Sequence, residues 1–165
     1  MRKKGFTLIE LLVVIGIIGI LAAGILAAID PLEQLKKGRD SQKRSVCVEL
    51  FNAFTRYYAI NGEFPWGAET EYGAKDIASV ESDDGYVTDL INVGELKSEF
   101  MEGLTAGSDE DIYVYGSDED TMVICFDPES KGVSSDPTTI YGDNEGTVDT
   151  TNCPDVDEAC YWCAR

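Results

Sequence analysis

The sequence predicts an α+β fold in which one long N-terminal α-helix packs on a small antiparallel β-sheet head. An almost unbroken apolar run over residues 6–29 is followed by an amphipathic stretch over residues 30–60. Together they have the length and periodicity of one long helix. The remaining residues, 61–165, contain two short runs rich in β-branched and aromatic side chains, 112–115 and 122–126. Such runs are typical of the paired strands of a hairpin.

The apolar run is long enough to cross a lipid bilayer. It reads FTLIELLVVIGIIGILAAGILAAI from Phe6 to Ile29, and a helix of that length spans roughly 36 Å against a hydrocarbon core of roughly 30 Å. Glu10 is the single charged residue within it. An ionisable side chain inside a membrane span costs free energy and is a candidate functional residue. The partner of Glu10 is therefore the first question that the sequence raises.

The residues before the run offer a partner for Glu10. Residues 1–5 form a short basic stub that ends in Gly5. A cut after Gly5 would create a new amino group on Phe6, which is four positions from Glu10 and hence one helical turn away. The resulting ion pair could form within one chain or between neighbouring copies. Setting the register between chains is the best-attested use of a buried ion pair.

Residues 4–10, KGFTLIE, together with the apolar run after them, resemble the class III signal of type IV pilins and type II secretion pseudopilins. This resemblance implies that a prepilin peptidase cleaves between Gly5 and Phe6, that Phe6 becomes N-methylated, and that Glu10 directs assembly. It implies a pilin-like chain with four parts. These are a leader peptide (1–5), a transmembrane and filament-core helix (6–29), the amphipathic second half of that helix (30–60) and a globular head (61–165).

The resemblance also implies a function and a location. The expected function is that of a non-enzymatic subunit, a pilin or pseudopilin, in a type IV pilus-like filament. Its expected partners are other subunits, the prepilin peptidase, an inner-membrane assembly platform and membrane lipid. The subunit would first span the inner membrane once, with its N-terminus in the cytoplasm, and would then enter an extracellular or periplasmic filament.

Several alternatives remain open at this point. The chain could be a pseudopilin of a type II secretion or competence system, because these proteins share every motif used above. A more remote alternative is a membrane-anchored redox domain that uses Cys160 and Cys163. A cleaved secretory signal peptide or a plain membrane anchor would explain the apolar run, but neither accounts for Glu10.

The second half of the long helix has two predicted features. Pro31 and Gly38 mark a segment, residues 30 to about 40, that we expect to kink or unwind. Beyond it, apolar side chains recur at helical spacing and predict a wide face that packs on the sheet. That face comprises Val46, Cys47, Leu50, Phe51, Phe54, Tyr57 and Tyr58.

The head is predicted to be loop-rich outside the two strands. We expect a long polar loop over residues 66–85 and short helices near 87–92 and 95–101. Short strands are further expected near 139–141 and 159–164.

The head is strongly acidic. Residues 57–165 contain 26 Asp and Glu against four Lys and Arg, a formal charge of 4 − 26 = −22. Such a surface repels phosphate backbones, so we expect no direct nucleic-acid binding by the head. We expect no cofactor, although a calcium site remains an alternative to a plain acidic turn. Its candidate ligands are Asp143, Asn144, Glu145 and Asp149, a set that does not follow the EF-hand pattern.

The chain has five cysteines and no histidine. The absence of histidine excludes histidine-based acid–base catalysis. The disulfide candidates are Cys125, Cys153, Cys160 and Cys163, whose pairing the sequence does not decide. A zinc site or a redox dithiol at the Cys160–Cys163 CxxC is the alternative. Cys47 lies on the edge of the apolar helix face and is expected to be a buried thiol.

Overall fold

Two helices form the N-terminal part of the computed structural model: α1, Leu8–Ala28, and α2, Pro31–Asn61. The structure describes residues 5–28, 30–67, 72–100, 111–118, 121–143, 145–149, 151, 153 and 160–165. By its contacts the chain divides into two units, residues 1–34 and 35–165. The predicted long N-terminal helical region is confirmed over residues 8–61, and α2 belongs largely to the unit that contains the sheet.

The start of α2 is set by the Asp30–Pro31 pair. The Asp30 carboxylate Oδ1 accepts hydrogen bonds from the backbone N–H groups of Leu32, at 3.1 Å, and Glu33, at 3.3 Å. Asp30 thus caps the helix, and Pro31 occupies the first helical position, where its missing N–H costs nothing. Gly38 lies inside α2, which is regular through this position. Loosening of the helix around Gly38 therefore stays a prediction for the assembled filament.

The sheet has four antiparallel strands in sequential order, β1-β2-β3-β4. They are β1, Tyr72–Asp76; β2, Ile112–Asp118; β3, Thr121–Phe126; and β4, Trp162–Ala164. The β2 and β3 runs confirm the two predicted strands, and β4 lies within the predicted C-terminal strand. Each strand pairs with its neighbour in sequence, so the sheet is a simple meander.

The segment over residues 66–85 was predicted to be one long polar loop. This prediction was wrong, because β1 lies in it, followed by a short helix α3, Ile77–Ser79, and a π-helical turn, Val80–Asp84. Strand β1 contains Gly73, Lys75 and Asp76, so its composition gives no strand signal. Its pairing with β2 overrides that local preference.

The remaining helices are short. Helix α4, Tyr86–Asn92, confirms the predicted helix at 87–92, and α5, Lys131–Ser134, was not predicted. The predicted helix at 95–101 ends in Met101, which lies outside the described residues. In the predicted strand 139–141, the structure has only isolated bridges, from Tyr141 to Val148 and Tyr161.

The main core lies between α2 and one face of the sheet. Alternate residues of β2 and β3 point to this face, as the strand period requires. Leu50 and Phe54 of α2 are fully buried there against Val114 and Ile124. The predicted helix face is confirmed at its centre, where Cys47, Leu50 and Phe54 have no exposed surface.

Aromatic side chains from the segment after α2 close one end of the core. The rings of Phe64 and Trp66 stack with centroids 4.8 Å apart, and the Trp66 ring lies 5.4 Å from that of Phe54. Gly116 of β2 makes room for the indole, since a Cβ at this position would lie 3.3 Å from Trp66 Cζ2. A larger residue at position 116 would therefore press on the Trp66 ring.

A smaller apolar cluster covers the opposite face of the sheet. It contains Val123, Cys125, Tyr141 and Cys163. Both faces of β3 are thus buried, one by α2 and the other by the C-terminal segments. This arrangement explains why β3 is the most continuously apolar strand of the head.

Lys43 is completely buried, although the sequence pattern places it off the apolar face of α2. Its Nζ lies 2.6 Å from Asp111 Oδ2 and 3.0 Å from Glu129 Oε1. Burial opposes the charge on the ammonium, but the two carboxylates outweigh it and hold the pKa of Lys43 above its ordinary value. Asp111 precedes β2 and Glu129 follows β3, so one lysine joins α2 to both strands at the open end of the hairpin.

Further polar contacts join α2 to the segment after β3. Asp40 is buried, and its carboxylate accepts hydrogen bonds from the backbone N–H groups of Glu129, at 2.9 Å, and Ser130, at 2.8 Å. Arg39 Nη1 lies 2.8 Å from Glu129 Oε2. Desolvation, followed by the nearby carboxylates, raises the pKa of Asp127 in the same region. The cluster therefore has more acidic than basic groups, and Lys43 is its central cation.

The structure contains two disulfides, and all four predicted cysteines take part in them. Cys125 of β3 bonds to Cys163 of β4, and Cys153 bonds to Cys160. Cys47 is free and buried, and burial raises the pKa of its thiol. Cys160 and Cys163 belong to different bridges, so the zinc and redox alternatives for this CxxC were wrong.

Replacement of Lys43 by Met is expected to destabilise the head. It keeps most of the side-chain volume but leaves Asp111 and Glu129 without their shared cation, at a cost of about 2–3 kcal/mol because both carboxylates keep some access to water. Thermal unfolding of the full chain in detergent, followed by near-ultraviolet circular dichroism, should give a Tm lower by about 5–10 °C. Lys36→Met, at an exposed position of α2, is the control and should leave Tm nearly unchanged. Equal Tm values for the two variants would contradict the role of Lys43.

The two disulfides are expected to differ in their contribution to stability. The Cys125–Cys163 bridge closes a separation of 38 residues and the Cys153–Cys160 bridge one of seven. Loop-closure entropy then assigns about 4 kcal/mol to the first bridge and about 2 kcal/mol to the second. Denaturant unfolding of the two double Cys→Ser variants measures these losses. A larger loss from the Cys153/Cys160 variant would disagree with the entropic argument.

Candidate functional site

Helix α1 exposes the large apolar side chains that the structure describes, from Leu8 to Ile25. Among the described residues it is the one helix that by length and composition could span a membrane, over Leu8–Ile25. The exposed fractions of its large apolar side chains range from 46% at Val14 to 81% at Leu8. Twelve such side chains are exposed: Leu8, Ile9, Leu11, Leu12, Val13, Val14, Ile15, Ile17, Ile18, Ile20, Leu21 and Ile25. A surface of this kind needs lipid or other helices to cover it.

Glu10 lies in the first turn of this helix and is held by Thr7. Its Oε2 accepts hydrogen bonds from the Thr7 backbone N–H, at 2.8 Å, and from the Thr7 hydroxyl, at 2.6 Å. In return the Glu10 backbone N–H donates to Thr7 Oγ1 at 3.3 Å. This reciprocal arrangement is a capping box, which satisfies two backbone N–H groups at the helix start. The Thr-x-x-Glu spacing before an apolar run is the sequence signal from which this role of Thr7 could have been predicted.

The capping box leaves part of the carboxylate available. The hydrogen bonds from Thr7 all fall on Oε2, and within the described part of the chain no donor contacts Oε1. The side chains around Glu10 are apolar, namely Phe6, Ile9, Val13 and Val14. Glu10 can therefore accept a further donor or cation on Oε1 while it continues to cap its own helix.

The predicted cleavage position lies just before α1. Gly5, Phe6 and Thr7 are outside any regular element, and the Phe6 side chain is 79% exposed. Residues 1–4 lie outside the described residues. The Gly5–Phe6 bond thus belongs to an exposed, non-helical segment, which is the form in which a peptidase can bind a peptide bond.

The calcium candidates do not form a ligand cluster in the described residues. Asp143 Oδ1 accepts hydrogen bonds from the backbone N–H groups of Glu145, at 3.2 Å, and Thr147, at 2.8 Å. Asp149 Oδ1 accepts one from the Thr151 N–H at 2.9 Å. Asn144 lies outside the described residues. The parts of the chain that the structure describes hold no group of three or more metal-ligating side chains, and these carboxylates act as turn acceptors.

Comparison with known proteins gives matches at the N-terminus and over most of the chain. A family model described as the prokaryotic N-terminal methylation motif matches residues 1–26. A fimbrial protein of Neisseria meningitidis serogroup A is 34% identical over 104 residues, which cover 59% of this chain and 60% of that protein. No solved structure gives a significant match.

Two further relatives align over almost the full length. A fimbrial protein of Neisseria meningitidis serogroup B is 28% identical over 163 residues, and the type IV major pilin protein PilE of Neisseria gonorrhoeae is 27% identical over 160 residues. Each alignment covers 92% of both chains. The methylation motif, the exposed apolar α1 and the α2-on-sheet head agree with these matches. The chain is thus similar to type IV pilins over most of its length and carries the N-terminal methylation motif at residues 1–26.

Proposed function

We propose that this chain is a subunit of a type IV pilus, cleaved between Gly5 and Phe6, N-methylated on Phe6 and assembled through Glu10. One observation carries the proposal: Glu10 is the single carboxylate on an otherwise apolar and fully exposed helix, four residues from Phe6. Cleavage would place a cationic amine at the end of this helix. The neighbour's amine would then be the donor that Glu10 Oε1 lacks.

Storage in the membrane follows from the surface of α1. Transfer of its twelve exposed large apolar side chains from water to lipid stabilises the inserted chain by roughly 1.5–3 kcal/mol each. Together they contribute roughly 20–35 kcal/mol. A single carboxylate cannot offset a gain of this size, so the uncleaved chain partitions into the bilayer. The acidic head then remains outside the membrane, where its disulfides are stable.

Assembly is driven by something other than apolar burial. Lipid tails and the apolar side chains of neighbouring helices offer α1 similar surroundings, so moving α1 from one to the other gains little hydrophobic free energy. Glu10 makes the difference, because in lipid its carboxylate can meet only the Phe6 amine of its own chain, whereas in the filament it can pair with the Phe6 amine of a neighbour. The pair forms at one relative position of two helices and thereby fixes the register.

The partners of this pathway follow from the same steps. A prepilin peptidase cuts and methylates the chain, an inner-membrane platform lifts it from the bilayer, and other pilin subunits receive it. The subunit therefore passes from a single-pass inner-membrane form, with its N-terminus in the cytoplasm, to a filament outside the cytoplasm.

A pilus is favoured over a secretion or competence pseudopilus. The relatives that align over 92% of their length carry the printed names fimbrial protein and type IV major pilin protein. Shear fractions from intact cells distinguish the two functions. A pilus subunit is recovered in long surface filaments, whereas a pseudopilin stays with the cell envelope.

The intact mass of the mature protein tests the processing step. Mass spectrometry of the protein from sheared filaments, or from the membrane, should give the mass of residues 6–165 plus one methyl group, with two disulfides formed. An intact N-terminus, or a cut at another position, would contradict the processing proposed here.

Replacement of Glu10 by Ala is expected to abolish filaments while membrane insertion stays normal. It removes both the carboxylate and the capping box, so Thr7→Val is the matched control, because it removes the Thr7 hydroxyl but leaves Glu10 and the backbone N–H bond. We expect the filament yield to fall more than tenfold for Glu10→Ala and about twofold for Thr7→Val, since only the first variant loses the ion pair. Similar losses in both variants would mean that helix capping, and not pairing with an amine, is what assembly requires.

A further inference from the structure

Three exposed lysines lie beside the first turns of α2, and we call them the lysine cluster. Lys36 and Lys37 are exposed on α2 itself, and Lys131 is exposed on α5. Lys131 is far from the other two in the sequence, so only the fold brings it to this position. The sequence pattern alone therefore does not show that the three lysines belong together.

Packing between α5 and α2 fixes the position of Lys131. One residue before it, the Ser130 backbone N–H donates a hydrogen bond of 2.8 Å to Oδ2 of the buried Asp40. One residue after it, a Cβ built on Gly132 would lie 2.7 Å from Lys37 Cε and 3.3 Å from Lys37 Nζ. The Lys37 side chain thus lies directly against the backbone next to Lys131, and the cluster is part of the folded head.

The ammonium groups of the cluster are available to a partner. Within the described part of the chain, none of the three forms an ion pair. The neighbouring cations Arg39 and Lys43 differ in this respect, because both pair with carboxylates of the head. The cluster therefore consists of the lysines at the start of this basic stretch that the fold of the subunit does not use.

Acidic groups in the same region do not cancel the cluster. Asp40 accepts two backbone hydrogen bonds, and Glu129 takes part in ion pairs. Asp30 and Asp136 accept hydrogen bonds in their own turns. Glu33 precedes the two lysines of α2 by three and four positions and offsets one of the three positive charges. A local excess of positive charge remains, although the head as a whole is strongly acidic.

The chain keeps this cluster near the surface of the bilayer that α1 would span. Helix α1 has 21 residues, which gives a length of about 31 Å against a hydrocarbon core of roughly 30 Å. The connection from Ala28 to Lys36, helical from Pro31 onward, spans at most roughly 18 Å. The headgroup region adds roughly 5–7 Å on each side of the core, and lysine side chains can extend back toward it. The remaining gap is smaller than the Debye length of roughly 8 Å at any angle between the two units.

We propose that the lysine cluster binds anionic lipid headgroups while the subunit is stored in the bilayer. The inference rests on the proposed function, which places the residues after α1 on the outer side of the membrane. Basic residues on that flank oppose this orientation, so Lys36 and Lys37 call for a role of their own. Leu35, which is 63% exposed, adds an apolar side chain beside them, as is typical of segments at a membrane surface. Lipid phosphates are the anions that this position supplies.

Binding of headgroups gives the stored subunit a preferred orientation. A head with a formal charge of −22 over residues 57–165 is repelled by an anionic bilayer surface. Contact through the lysine cluster replaces repulsion by attraction at one part of the head only. The favoured orientations are then those in which α5 and the start of α2 face the lipid. Solvation by water alone is the competing explanation for these lysines, and the identity of the bound lipids distinguishes the two.

Native mass spectrometry of the full chain in nanodiscs tests this contact. The discs contain phosphatidylcholine and phosphatidylglycerol, and the lipids that stay bound to the released chain are counted. The wild-type chain should retain phosphatidylglycerol in preference to phosphatidylcholine. This preference should fall on the order of a hundredfold when Lys36→Gln, Lys37→Gln and Lys131→Gln are combined, because each cation near an anionic surface contributes about fivefold. Retention of the two lipids in the proportions of the disc would overturn the inference. A chain that does not insert into the discs would overturn the proposed function, and the inference with it.

A matched pair of single variants separates the cluster from net charge. Lys97 is also an exposed lysine of the head, and it forms no ion pair in the described part of the chain. It follows Glu95, which contacts Arg56, about 30 Å along α2 from Lys36. Lys131→Gln should lower the preference for phosphatidylglycerol about fivefold, whereas Lys97→Gln, which removes the same charge, should leave it nearly unchanged. Equal effects of the two variants would show that Lys131 is not part of a lipid site.

Discussion

The exposed apolar surface of α1 is the constraint on which the rest of the molecule depends. This surface cannot remain exposed to water. Lipid and a bundle of apolar helices would cover it about equally well, so apolarity alone favours neither of them. A polar feature on α1 is needed to favour the assembled state over the membrane-embedded one, and Glu10 is the residue that we propose for this role. The capping box with Thr7 gives Glu10 a place in the single subunit and leaves Oε1 for a second donor. One carboxylate thus serves the start of its own helix and the proposed contact with a neighbour.

The head is subject to a different constraint: it must remain folded around a small core although it carries a large negative charge. Its four strands pack on α2 through one face, and the C-terminal segments cover the other. Lys43 links α2 to the open end of the β2–β3 hairpin, and the Cys125–Cys163 bridge links β3 to β4. These ionic and covalent connections hold the helix and the strands of the head together against the repulsion between its acidic residues.

Local sequence patterns predicted the helices and strands whose formation depends mainly on residues close together in the sequence. The apolar run, the amphipathic stretch of α2 and the β-branched runs of β2 and β3 depend on neighbouring residues, and their positions followed from the sequence. Burial of Lys43 did not, because it requires Asp111 and Glu129, which are distant in sequence and become its neighbours only through the fold. Strand β1 was missed for a similar reason, since its pairing with β2 and not its composition makes it a strand. The spacing of Thr7 to Glu10 also predicts a capping box, which the prediction of an amine partner for Glu10 did not include.

Charge is distributed unevenly along the chain: basic residues are concentrated in α2, acidic residues dominate the head, and α1 holds one acid in an apolar surface. Within α2, Arg39 and Lys43 pair with carboxylates that flank the β2–β3 hairpin, so part of this basic charge serves the fold of the subunit itself. Among the described residues the Glu10 carboxylate has no such cation and is held by Thr7. In the proposed filament the amine of one chain would reach Glu10 of another. That contact would be made in an apolar medium, where ionic interactions are strong and salt screens them little, so the register would not depend on ionic conditions.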